Sequence, residues 1–221
     1  DGKTNILNGS CIDKEIINEV KNHKPTVGLL NPPYKSDKKK DTEELDFILS
    51  NLECLEQGGK CVAIVPMQSA LAQKGKILEL KKKLLEQHTL EAVLSMPDEL
   101  FFNSDVGVVS CIMLFTAGRP HPKGKKTFFG YFKNDGFVKR KNKGRIDAYG
   151  KWKSIKDNWI RIYINKENIA GTSVNRIVGP EDEWCAEAYM ETNYSNLLKE
   201  DFEFSIKEFV YFNELFNDQR L

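Results

Sequence analysis

The chain has 221 residues, 40% of them hydrophobic and 29% charged, which suffices for one sizeable core with an appendage and argues against a disordered or fibrous chain. No apolar run approaches the ~20 residues of a membrane span, the longest being Val106 to Phe115, and no signal pattern opens the chain. An intracellular, cytoplasmic protein with no membrane partner is expected. Five cysteines without a CxxC pair and three scattered histidines argue against a bound metal or a disulfide framework, so the cysteines are read as reduced and mostly buried.

The net charge of +1 conceals an uneven distribution. Arg119 to Lys166 carries 15 Lys and Arg against 3 Asp and Glu, whereas Glu167 to Leu221 carries 4 against 12. A basic stretch beside an acidic tail suggests a polyanion for the first and a protein partner, or plain solubility, for the second. A solvated basic loop is the equal alternative on charge alone.

In chain order, Asn5 to Asp13 (NILNGSCID) precedes a helix from Lys14, with Asp13 placed to cap it. Thr26 to Leu30 is a short apolar run that stops at Asn31-Pro32-Pro33-Tyr34, and Lys60 to Pro66 (KCVAIVP) repeats that form after Gly58-Gly59. Both are expected to be strands buried on both faces. Between them, Asp41 to Gln57 sets Leu45, Ile48, Leu49, Leu52 and Leu55 on one helical face with acids near its start. A second helix is expected over Leu71 to Gln87, with the Lys81-Lys82-Lys83 triplet as its wet face.

Leu90 to Ser95 reads as a strand, followed by Met96-Pro97, a loop with Phe101 and Phe102, and the apolar run Val106 to Phe115. Thr127 to Phe132 is an added strand, and Trp159 to Ile164 a strand or a helix. The C-terminal part from Glu181 is expected to be helical, interrupted near Asp201 to Ser205. Strands alternating with helices of this length imply parallel crossovers, so Asp1 to Gly118 is expected to be a doubly wound α/β sheet. A basic extension with added strands (119–178) and an acidic helical tail (179–221) complete the expected division. In such sheets ligands bind at the carboxyl ends of the strands, where Asn31 to Tyr34 falls.

The Asn-Pro-Pro-Tyr turn suits one chemical task. An adenine N6 amino group is a poor nucleophile because its lone pair is delocalised into the ring. Two acceptors holding its two N–H bonds favour a pyramidal nitrogen whose lone pair points at a methyl donor. The side-chain oxygen of Asn31 and the carbonyl of Pro32 are the candidate acceptors, and Pro32 and Pro33 fix the direction of the backbone. Tyr34 offers a ring face to a base flipped out of a duplex.

This tetrapeptide after an apolar strand resembles the catalytic motif of the amino-group (N6-adenine) DNA methyltransferases, which use S-adenosylmethionine. The stretches "CVAIVP" and "LEAVLSMPDELFFNSDVGVVSCIMLF" resemble the second half of the methylase domain in M subunits of type I restriction-modification systems. The stretch "GPEDEWCAEAYMETNYSNL" is similar to a segment that follows the domain in some M-like proteins.

The resemblance implies a Rossmann-like S-adenosylmethionine-dependent methyltransferase sheet with a mixed, partly helical C-terminal extension. It further implies a site-specific DNA methyltransferase acting on adenine, with specificity and restriction subunits as partners. By the same match Phe101 or Phe102 stacks on the base opposite Tyr34, Phe102 being favoured and Phe101 assigned to loop packing.

The family's glycine-containing cofactor loop and the ribose-binding acid do not precede Asn31 in this sequence. By the resemblance, Asp1 to Gly118 is therefore the C-terminal half of a methyltransferase domain whose other half lies upstream, and alone it is expected to bind S-adenosylmethionine poorly. Ser10, Cys11, Asp13 and Asn31 are the remaining cofactor-contact candidates. Lys35, Lys38, Lys39 and Lys40, and then Lys139, Arg140 and Lys141 with Lys143 and Arg145, are candidate phosphate contacts. The second group is interleaved with Phe137, Tyr149 and Trp152. Similar turns also serve enzymes that methylate protein glutamine or RNA, and a catalytically silent DNA-binding or assembly module is the third alternative.

Overall fold

The structure, a computed structural model, describes residues 4–34, 42–101, 107–194 and 197–218. The chain divides into Asp1–Met190 and Glu191–Leu221. The first unit begins with α1 (Lys14–Asn22), β1 (Val27–Leu30), α2 (Glu44–Cys54) and β2 (Lys60–Pro66). It continues with α3 (Gln68–Leu71), α4 (Gly75–Gln87), β3 (Thr89–Ser95), β4 (Ser110–Thr116) and β5 (Lys126–Tyr131). The short strands β6 (Val138–Arg140) and β7 (Gly144–Ile146), then α5 (Trp152–Asn165) and β8 (Ser173–Ile177), complete it.

Six strands form one sheet in the order β1-β2-β4-β3-β5-β8. The parallel pairs β1·β2 and β3·β5, and the antiparallel pairs that β4 makes with β2 and β3, give β1, β2, β3 and β5 one direction. β4 and β8 run against them. The sheet is thus mixed, with four of its six strands in one direction but only two of its five neighbouring pairs parallel, and its crossovers are α2 and α3–α4, as the alternation of strands and helices implies.

Two cores lie on its two faces. On the first, Leu45, Ile48 and Leu52 of α2 and Leu80, Leu84 and Leu85 of α4 pack on Cys61, Ala63, Val65, Met113 and Phe115. This is why apolar residues recur at helical spacing in α2 and α4 and at every second position of β2. On the second face α5 covers only the β3/β5 end: Phe132 stacks on Trp159 at 4.8 Å, and Phe128 meets Tyr163 edge-on at 5.5 Å.

Because α5 stops short of β1, the expected two-sided burial of β1 is corrected: Val27 is 61% and Leu29 77% exposed. Gly28 and Leu30, pointing to the other face, are enclosed. Trp159 to Ile164 resolves as helix, begun by the Asp147 carboxylate, which accepts from the backbone N–H groups of Lys151 (2.8 Å) and Trp152 (3.2 Å).

The lysine triplet is also corrected. Lys81 is fully buried, and its ammonium donates to the carbonyls of Ala70 (3.2 Å), Ala72 (3.2 Å) and Asp182 (2.6 Å) beside the ring of Trp184. The expected helix from Leu71 is α3 and α4 separated by a break, and Lys81 ties the two ends of that break together. The region from Glu181 is not helical as expected. Residues 181–190 are irregular and dock by Trp184, Cys185 and Ala186 into the first core. Helix begins only at α6 (Lys199–Asp218), which runs without the expected interruption and belongs to the second unit. Among the described residues no helix is long and apolar enough to cross a membrane.

Candidate active site

β1 and β2 run in parallel register, Leu30 opposite Ala63, so the chain leaves the sheet at its carboxyl end directly into the Asn-Pro-Pro-Tyr turn. The turn alternates: Asn31 exposed, Pro32 buried, Pro33 exposed, Tyr34 half-buried. The buried Pro32 anchors the turn, and the neighbouring Asn31, with its side-chain amide, is exposed. Nothing else in the described residues bonds to that amide.

The Tyr34 ring meets that of Phe101 edge-on, centroids 5.8 Å apart and planes at 79°. Its hydroxyl is buried and has no hydrogen-bond partner among the described residues. Burial, reinforced by Cys111 and Glu44, pushes its pKa up to about 12, so the phenol stays neutral at physiological pH and presents a ring rather than a titrating group. Burial likewise pushes the Cys111 thiol well up and that of Cys61 up to about 12, which makes both inert packing groups. The three buried cysteines and the half-buried Cys54 fit the sequence reading, while Cys11 is exposed.

The loop bearing Phe101 leaves β3 at Ser95 and is held at several points. The N–H of Met96 donates to the Ser110 carbonyl at 3.0 Å, and that of Phe132 to the Ser95 carbonyl at 2.9 Å. Asp98 accepts from Lys133, and Glu99 from Lys139. Phe102, the favoured stacking residue of the sequence reading, lies outside the described residues, as do Lys35, Lys38, Lys39 and Lys40. Of the aromatic pair, the structure brings Phe101 to Tyr34.

Ser10, Cys11 and Asp13 are exposed at the start of α1. Asp13 occupies the N-cap position, but its side chain makes no capping bond, so the expected cap is corrected to an exposed carboxylate. The Cys11 carbonyl accepts from Ser50 Oγ at 2.9 Å, and Cys11 lines a cavity of about 160 Å³ together with Gly28, Leu30 and Asn51. This sets the start of α1 beside β1. A larger cavity of about 600 Å³ between α1, α2 and α4 contains none of the turn residues.

The basic stretch is only partly open. Lys139 pairs with Glu99, and Arg145 makes a two-pronged bond to Asp135 at 2.8 and 3.0 Å. Arg140 lies 3.4 Å from the Tyr149 hydroxyl, and Lys141 and Lys143 are exposed in the β6–β7 turn. Phe137 and Trp152 pack on each other edge-on, rings 5.8 Å apart, rather than standing free between the basic residues.

Residues 22–215 match the family N-6 DNA Methylase. The chain belongs to that family. This N-6 DNA methylase chain is 35% identical over 196 residues to the type II restriction enzyme and methyltransferase RM.BcgI of Heyndrickxia coagulans, across 86% of this chain and 30% of that protein. It therefore spans about a third of the length of that relative. Its fold is similar to that of the methyltransferase subunit of the type I restriction-modification system from Streptococcus thermophilus. The TM-score is 0.58 at 18% identity, over 76% of this chain and 38% of that one. It is also similar to a chain from a type I R-M system assembly, with TM-score 0.52 at 16% identity over 91% and 45%.

In the N-6 DNA methylase chain, sequence reasoning misplaced Lys81 on a wet face and passed over Ser95, Lys133 and Glu187. Lys81 carried a signal, since a lysine at position i+4 from Ile77 and i−3 from Leu84 sits on the apolar side of α4. The other three act through long-range contacts and carried none.

Proposed function

We propose that this chain holds the amine-activating part of a DNA adenine methyltransferase of a restriction-modification system. Asn31, Pro32, Pro33 and Tyr34 receive the base, and S-adenosylmethionine is the methyl donor. The observation that carries this reading is the exposed amide of Asn31 at the carboxyl end of β1, beside a Tyr34 ring that faces Phe101 from a separate loop. Membership in the N-6 DNA methylase family and the likeness to RM.BcgI support it.

Asn31 Oδ1 and the Pro32 carbonyl accept the two N–H bonds of the amino group. That geometry removes the lone pair from conjugation and gains strength as positive charge develops on nitrogen. Tyr34, kept neutral by burial and braced edge-on by Phe101, supplies a flat apolar wall, with Phe102 opposite. Neither an amide nor a neutral phenol takes up the proton released at N6, so that proton passes from the cationic amine to solvent.

When bound, S-adenosylmethionine supplies an electrophilic methyl group. Ser10, Cys11 and Asp13 fit its adenosyl end: they are exposed beside β1, and the Asp13 carboxylate, unspent on its helix, can accept from an adenine amino group or a hydroxyl. Exposed Arg140, Lys141 and Lys143, with the lysines at 35 and 38–40, provide the phosphate-facing charge, while Lys139 is held by Glu99. Specificity and restriction subunits are the proposed protein partners, a reading supported by the fold likeness to type I restriction-modification components.

In the full-length protein, Asn31→Ala abolishes methyl incorporation into adenine-containing duplex while labelled-cofactor affinity stays within about three-fold, because the lost acceptor acts in the transition state. Unchanged incorporation overturns the assignment. Methyl recovered on glutamine or on RNA in place of adenine moves the substrate to those classes, and no transfer by the wild type leaves a silent module.

A further inference from the structure

The loop between β3 and Phe101 carries two consecutive acids, Asp98 and Glu99, at the rim where the proposed site would receive a polyanion. Acids there repel phosphate unless they are neutralised, and both are. Glu99 binds Lys139, and Asp98 binds Lys133. Lys133 differs from the other ion-paired lysines of the basic stretch, whose side chains are 33% exposed or more. Its side chain is only 19% exposed, and it stands between Asp98 and a second carboxylate, Glu187, whose Oε1 is 4.0 Å away.

Glu187 is itself fixed. Its Oε2 accepts from the Oγ of Ser95, the fully buried last residue of β3, at 2.6 Å. Three residues earlier Trp184 is fully buried, with its indole N–H on the Gly179 carbonyl (2.8 Å) and its backbone N–H on that of Ala70 (3.1 Å). Buried Lys81 holds the Asp182 carbonyl of the same segment.

An unbroken set of contacts therefore runs from the core through Trp184 and Glu187 to Lys133, then to Asp98 and the loop that sets Phe101 against Tyr34. A lysine already balanced by two carboxylates and four-fifths covered is poorly placed to bind phosphate, and well placed to hold a loop.

We infer that Lys133, bridging Glu187 and Asp98, is a positioning residue that fixes the 96–101 loop and so places the aromatic wall against which the target base is held. This inference rests on reading the Asn31–Tyr34 turn as the adenine site. Lys133 touches neither base nor cofactor. Its effect reaches the reaction through the position of Phe101, and misplacing a wall of a reactive pocket slows the chemical step more than it weakens binding.

The test is steady-state methylation of adenine-containing duplex DNA by the full-length protein and its Lys133→Met, Lys133→Arg, Asp98→Ala and double Lys133→Met/Asp98→Ala variants. For Lys133→Met, kcat is expected to fall about ten-fold while KM for S-adenosylmethionine stays within about two-fold. Arginine at 133 restores most of the rate. Asp98→Ala falls similarly, and the double variant is no slower than Lys133→Met, since both changes break one contact.

Wild-type kcat in both single variants, losses that multiply in the double variant, or a defect confined to KM for DNA that deepens with salt each overturn the inference; the last marks Lys133 as a phosphate contact. Should Lys133→Met fail to fold, Asp98→Ala carries the same test, since that side chain is 67% exposed. Absence of adenine methylation by the wild type refutes the adenine-site reading instead, whereas wild-type methylation with unaffected variants refutes the positioning role alone.

Discussion

Lys81 shows how much one side chain can decide. A fully buried ammonium is costly unless every proton finds an acceptor, and here three carbonyls and the face of Trp184 surround it. Replacing it with methionine fills the volume but strands those carbonyls, so Lys81→Met is expected to lower stability by about 2 to 4 kcal/mol, read from denaturant midpoints. Burial also pulls the Lys81 pKa from 10.5 down to about 8, against the opposing pull of Asp182 and Glu183. Between those values the unfolded chain holds more of this proton than the folded one, so its contribution to stability is lowest below pH 8 and rises through the window. The stability difference between wild type and Lys81→Met should accordingly grow from pH 8 to pH 10, and a flat difference would refute the shift.

At the scale of elements, the position of the Asn31–Tyr34 turn depends on how closely β1 approaches α2. The only side chain that fits between them at Gly28 is a hydrogen: a Cβ there would lie 2.0 Å from Asn51 Oδ1, itself buried without a partner. Gly28→Ala must push β1 off α2 or rotate Asn51, an overpacking cost of about 1 to 3 kcal/mol. Because Asn31 follows only three residues later, the same change should depress methyl transfer beyond what the shift in midpoint explains, as assayed at a temperature where the variant remains folded. The capping box of α2, with Glu43 and Asp46 bonding each other's backbone N–H groups, fixes the opposite end of that helix. Its sequence signal, acids gathered at the helix start, was readable; the close approach at Gly28 was not, because a glycine in a four-residue strand looks the same wherever its neighbour lies.

For the whole molecule, the positive charge available to a polyanion is less than the composition suggests. Among the cations between Arg119 and Lys166, Lys125, Lys133, Lys139, Arg145, Lys153 and Arg161 are engaged by carboxylates. Arg140, Lys141 and Lys143 on the β6–β7 hairpin stand exposed. Changing those three to alanine should flatten the plot of log DNA affinity against log salt by about 2 to 3, near 0.9 per phosphate lost. An unchanged slope over a salt series would place the contact elsewhere.

Read by itself, the sequence determined the helices α2 and α4, the strands β2, β3 and β5 and the place of the Asn31 to Tyr34 turn at the end of β1. Periodicity, prolines and capping acids act over a few residues and write themselves into neighbouring positions. Only the tertiary structure decided that Lys81 is a core residue, that β1 is open on one face, that Phe101 meets Tyr34, and that Ser95 reaches Glu187 across 92 positions. Those outcomes depend on which distant segments the folded chain brings together, and no local pattern of residue types encodes that meeting.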